Sequence, residues 1–188
     1  VAGNISQTSD LITVDTLAPA ATFVVNGDAA STNDTNVTLT STSLDAAEMQ
    51  FSNDGVTYSG WVAYAASTAW ILPASDGSHT VHGQFRDTAG NVVDTTDDIV
   101  LDTTVPMASF VINGDAALTN DQNVTLNNTV TDAVDMQFSN DGVTYSGWVA
   151  YAPSAAWVLP PGDGEHTVYG QFRDASGNVA DSSDAIIL

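Results

Sequence analysis

"MQFSNDGVTYSGWVAYA" runs from Met49 to Ala65 and again, letter for letter, from Met136 to Ala152. An alternating run, Met-Gln-Phe, meets a turn in which Asp54-Gly55 and Asp141-Gly142 supply the positive φ that a tight hairpin requires. The duplication extends outward from this hairpin in both directions. A shift of 87 residues places Asp15 on Asp102, Trp61 on Trp148, Arg86 on Arg173 and Asn91 on Asn178, and 60 of the 87 paired positions agree without an insertion or deletion. A fixed period of domain size marks a tandem array of one structural unit. The expected organisation is one repeat over 15–101 and a second over 102–188. Residues 1–14 align with 88–101, and are read as the last strand of a preceding, absent copy.

Each period reads as all-β: short alternating or apolar runs rich in Val, Thr, Phe, Tyr and Trp, separated by Gly, Asn, Asp and Pro turns. In the second copy the pattern predicts strands over 108–113, 123–127, 135–139, 144–151, 156–159, 166–174 and 178–188. Seven strands in 87 residues suit a β-sandwich. Alternation directs Phe110, Val124, Leu126, Met136, Phe138, Trp157, Leu159, Val168 and Phe172 inward, and Thr125, Gln137, Gln171 and Arg173 outward.

Charge removes several classes of partner. The chain has no Lys, two Arg and 23 acidic residues, a formal net charge of −21. Such a surface repels nucleic-acid phosphates and anionic lipid, and no stretch is long and apolar enough to cross a bilayer as a helix. Cations are the natural partners. With Cys absent, disulfides are closed to these small modules, and the absence of Lys closes the Lys-to-Asn isopeptide crosslink. Bound metal is the stabilising route left open.

The succession LD-T-x-x-P, a strand, NGDA, NVTL, MQFSNDG, W-x-x-Y, W-x-L, GDG-x-x-TV and FRD-x-x-GNV resembles the immunoglobulin-like repeats of large bacterial surface and adhesin proteins. The resemblance spans the whole chain. It implies tandem immunoglobulin-like sandwiches, secretion to the cell surface, and frequent Ca²⁺ binding where modules meet. No Cys pair flanks Trp148 or Trp157, so the likeness is to bacterial modules and not to antibodies.

If successive strands run up and down, the second and sixth loops of a copy lie where the chain enters it, and the first, third and fifth lie at the opposite end. Both ends are acidic. Ca²⁺ seeks six to eight hard oxygens, and the best cluster for it is Asp102, Asp132, Asp135, Asp174 and Asn178, mirrored by Asp15, Asp45, Glu48, Asp87 and Asn91. Zinc fits poorly, with no Cys and only His79, His82 and His166.

Catalysis is not expected: there is no G-x-S-x-G elbow and no Cys, and the acidic pair Asp97/Asp98 loses its second member to Ala185 in the other copy. The leading reading is a non-enzymatic extender of a large repetitive surface adhesin or extracellular fibre, with neighbouring repeats or other copies as partners. The alternative is a carbohydrate-binding module, with glycans as partners, using Tyr145, Trp148 and Tyr151 as a stacking platform.

Overall fold

The computed structural model describes residues 12–188. Most of the segment read as a leftover strand, 1–11, lies outside them, and 12–14 belong to no strand. Of the described residues, 12–29, Asn36–Pro73 and His79–Asp98 form one compact unit, and Ala30–Thr35, Ala74–Ser78 and Ile99–Leu188 form the other.

The first copy contributes β1 (Ala20–Val25), β2 (Ser31–Thr32), β3 (Asn36–Leu44), β4 (Glu48–Ser52), β5 (Val62–Ala63), β6 (Ser67–Ile71), β7 (Gly77–Arg86) and β8 (Val92–Leu101). The second contributes β9 (Met107–Ile112), β10 (Asn123–Thr131), β11 (Asp135–Ser139), β12 (Val149–Ala150), β13 (Ser154–Val158), β14 (Glu165–Arg173) and β15 (Val179–Ile187). In the second copy a three-stranded sheet, β13-β10-β9, faces a four-stranded one, β12-β11-β14-β15, all neighbours antiparallel. The first copy repeats this with β1-β3-β6 and β5-β4-β7-β8. It adds the two-residue β2, which runs parallel to the end of β8 where the second copy has only a single Leu118–Ile187 bridge. The fold is thus all-β, built of immunoglobulin-like sandwiches of about seven strands.

Alternation along the strands makes the core. On β10, Val124, Leu126 and Asn128 point inward between exposed neighbours, and they meet Phe110, Ile112, Met136, Phe138, Leu159, Val168, Phe172 and Ile186. Phe138 contacts both Phe110 and Phe172 edge-on, with ring centroids 5.5 and 5.8 Å apart. Gly170 is required at the centre of β14. A Cβ there would lie 2.9 Å from the Phe110 ring and 3.0 Å from the Phe138 ring, so the rings pack directly on its backbone.

Three expectations need correction. The strand expected over 144–151 is reduced to Val149–Ala150. Side chains take over its ladder: Phe138 N donates to Ser146 Oγ, Asp141 Oδ1 accepts from Val143 and Thr144, and Gly147 turns the chain at φ +91°. Gln137 lies on the outward face yet is buried, because its amide packs on and donates to Gln171 Oε1 at 2.7 Å. Trp157, expected inside, is half-buried. Its ring rests on Phe138 at 5.9 Å while the indole N–H reaches out to Asn140 Oδ1 at 2.7 Å.

Candidate functional site

The motif Asp-x-x-Gly-Asn closes β14 onto β15, and its residues work as one device. Asp174 Oδ1 accepts the backbone N–H groups of Ser176, Gly177 and Asn178 at 2.8–2.9 Å, which folds the loop into a tight turn with Gly177 at φ +97°. The turn aims the Asn178 side chain back on itself. One Nδ2 proton goes to Asp174 Oδ2 at 2.9 Å and the other to the backbone carbonyl of Asp102 at 2.8 Å. Both Asp174 and Asn178 are buried, so these bonds are shielded from competing water. Asp102 in turn accepts Thr104 N on Oδ1, an Asx turn that shapes the Asp-Thr-Thr-Val-Pro linker.

The first copy repeats the latch atom for atom. Asp87 Oδ1 accepts from Ala89, Gly90 and Asn91, and Asn91 Nδ2 bridges Asp87 Oδ2 and the Asp15 carbonyl. The Asn91 side chain, aided by these backbone donors, holds the Asp87 carboxyl below the usual carboxylate range.

A second clamp grips the linker from the other side. Asp76 Oδ1 accepts Thr103 N and Oγ1 at 3.1 and 2.9 Å, and its Oδ2 accepts Thr104 Oγ1 at 3.1 Å. The Thr103 hydroxyl is the main reason the Asp76 carboxyl is held below its ordinary value. Ser176 Oγ lies 3.2 Å from Asp102 Oδ2 and 3.0 Å from Ser31 Oγ. The side chains of Asp76, Thr103, Thr104, Asp102, Ser176 and Ser31 are thus joined with the linker backbone in one polar network within the second unit.

The residues expected to ligate calcium are divided among different tasks. Asp102, Asp174 and Asn178 come together, but Asp174 is filled by four donors. Asp135 is paired with Arg173 at 2.6 Å across the β11–β14 register, and Arg173 also stacks on Trp148, 4.5 Å from the ring centroid. Glu48, Arg86 and Trp61 repeat this triad. Asp45 and Asp132 take left-handed turn conformations at φ +79° and +72°, which short polar side chains tolerate. Among the described residues no three His, Cys, Asp or Glu side chains converge in a way that could hold a metal ion. The donor set as arranged does not fit a closed calcium cage.

The stacking platform is also dispersed. Trp148 is half-buried under the Arg173 guanidinium, and Tyr151 packs against the core. Sequence reasoning brought Asp76 towards the linker but left it out of the candidate site, and it missed the Arg–Trp stacks. The Asp-Gly pair shared by 76–77 and 163–164 and the recurrence of Trp and Arg at the same offset were the available signals.

The hairpin turns carry the strongest perturbation. Asp54 Oδ1 accepts Val56 N, Thr57 N and the Ser52 hydroxyl, and Asp141 does the same with Val143, Thr144 and Ser139. The backbone N–H of Thr57 is the leading cause that holds Asp54 far below the usual range, and that of Thr144 brings Asp141 down to about 2. A carboxylate with a depressed folded-state pKa stabilises the fold above its unfolded value of about 3.9, and that contribution fades as pH falls through the folded value. In salt high enough to screen the surface charge, the melting temperature should hold steady down to about pH 4 and then fall towards about pH 2. The D54N/D141N double variant should show a shallower acid limb. An unchanged limb would remove these turns from the account.

No family model and no curated protein matches the chain. Among solved structures, it is similar to the fibronectin(III)-like modules of Clostridium thermocellum CbhA, with TM-score 0.57, 17% identity, and coverage of 90% of this chain and 94% of that one. Looser likenesses are to a tetra-tandem repeat from the extending region of a large adhesion protein (TM-score 0.36, 18% identity, 90% of this chain and 50% of that one) and to a 1.5-MDa bacterial ice-binding adhesin (TM-score 0.48, 14% identity, 92% and 65%). The neighbours are fibronectin(III)-like modules and tandem repeats of large adhesins.

Proposed function

We propose that the chain is a non-enzymatic extender segment of a large repetitive adhesin or extracellular fibre at the cell surface, with repeats at 15–101 and 102–188. The observation that carries this reading is the duplicated latch: the same Asp-x-x-Gly-Asn turn grips the linker Asp carbonyl in both copies, at Asp15 and at Asp102. A module whose most elaborate polar network is spent on the incoming chain is built to transmit position and force. The charge of −21 keeps such arrays soluble and apart.

Calcium stiffening of the junctions is a second proposal, and it rests on charge alone. Acidic loops lie near the linker, and divalent cations would relieve their repulsion through surface oxygens and water, without a closed cage.

Single-molecule stretching of the chain tests the extender reading. Two unfolding events of equal size are expected, each releasing roughly 300 Å at about 3.5 Å per residue. A single event, or two of clearly different length, would contradict independent repeats of 87 residues.

A further inference from the structure

Over the Ser-Asn-Asp-Gly hairpin of the second copy lies an open recess of about 540 Å³, lined by Gly142, Tyr145, Tyr169, Gln171, Asp181, Ser182 and Ser183. Its size falls in the range of small-molecule sites. Tyr169 lies flat on the turn: a Cβ on Gly142 would meet Cγ, Cδ1 and Cδ2 of its ring at 3.4 Å. One side of the ring is therefore backed by the turn, while the residue stays 36% exposed. Tyr145 lines the same recess, and burial, followed by the charges of Asp181 and Asp141, pushes its phenol up.

The polar floor is fixed by a relay. Buried Gln137 donates to Gln171 Oε1 at 2.7 Å, and Gln171 Nε2 donates to Asp181 Oδ1 at 2.9 Å. Asp181 and Gln171 are thereby held in place before any ligand arrives, which lowers the ordering cost of binding. No cation lines the recess, so an anionic ligand finds no partner there and meets Asp181 and the net charge of the chain. Two aromatic rings, a carboxylate, an amide and two serine hydroxyls match the alternating C–H faces and hydroxyl edges of a neutral sugar.

We propose that this recess is a binding site for a neutral saccharide, a function beyond that of an extender. The first copy supplies a natural contrast. It keeps the relay, with Gln50 on Gln84 and Gln84 on Asp94, but places His82 where the second copy has Tyr169, and Thr95 and Thr96 where it has Ser182 and Ser183. Of the lining residues, Gly142, Tyr145, Gln171 and Asp181 recur in the first copy, and Tyr169, Ser182 and Ser183 do not.

The test is NMR of the tyrosine ring signals in the 188-residue chain, titrated with methyl glycosides of glucose, galactose, mannose and N-acetylglucosamine and with lactose and cellobiose. Saturable shifts at Tyr145 and Tyr169 are expected, with dissociation constants on the order of 1 mM, while Tyr58 stays still. Y169H, which copies the residue of the first repeat, and D181N should each weaken binding by about tenfold. Three outcomes would overturn the proposal: no saturable shift with any of these sugars, equal binding by both variants, or shifts produced only by tetramethylammonium.

Discussion

Replacing Phe172 by Ala should split the melting transition of the chain in two, leaving one component near the wild-type midpoint and lowering the other by about 15 °C. Phe172 is fully buried on β14, the strand between β11 and β15, with Phe138 at 5.8 Å and Phe110 at 6.5 Å between ring centroids. Removing a buried phenyl ring costs about 3–5 kcal/mol, through lost transfer energy and the cavity left behind. A small domain has only about 5–15 kcal/mol in total, and each kilocalorie moves its midpoint by roughly 4–8 °C. The neighbouring Gly170 makes collapse of the cavity difficult, since the surrounding rings already rest on backbone. Calorimetry provides the readout. A shift of under about 5 °C would mean that the core is looser than its geometry implies.

Asp174→Ala should be nearly as damaging, although it removes no apolar surface. It deprives three backbone N–H groups and the Asn178 amide of their acceptor in a buried turn. Buried donors left without partners cost about 1–3 kcal/mol each, tempered by water entering the opened turn, so a net loss of about 3 kcal/mol is expected. Asp174→Asn retains a carbonyl oxygen for the backbone donors and should cost roughly a third as much. Hydrogen exchange at Gly177 and Asn178 should accelerate in the Ala variant. Unchanged protection there would show that the loop holds its shape without its aspartate.

The strands bounded by strong turn residues were the legible ones. The strand expected over 135–139 coincides with β11, because Asp and Asn-Asp-Gly flank a run whose alternation admits one register. The segment 144–151 misled because Val, Thr, Tyr and Trp favour strands, yet the Asp141 carboxylate takes Thr144 N and the Ser146 hydroxyl takes Phe138 N of the neighbouring strand, side-chain substitutes for a ladder that composition does not display. The candidate site was half legible. Asp102, Asp174 and Asn178 meet in the structure, since the linker and the sixth loop share one end of the sandwich. Their chemistry was not legible, because acidic residues near one another suggest a cation until the donors filling each oxygen are known. Asp135 was diverted by the β11–β14 register, which sets it opposite Arg173, and no sequence pattern states that register.

The central claim is that the linker is ordered by direct hydrogen bonds to Asp76 and from Asn178, and hydrogen exchange at the Thr103 amide tests it most directly. The 188-residue chain should be measured in calcium and in chelator, alongside the Asp76→Ala/Asn178→Ala double variant in calcium. Thr103 should be protected in the wild-type chain in calcium, keep most of that protection in chelator, and lose it in the double variant even in calcium. Protection that is lost in chelator, with the double variant in calcium remaining protected, would contradict the claim and give the junction to calcium.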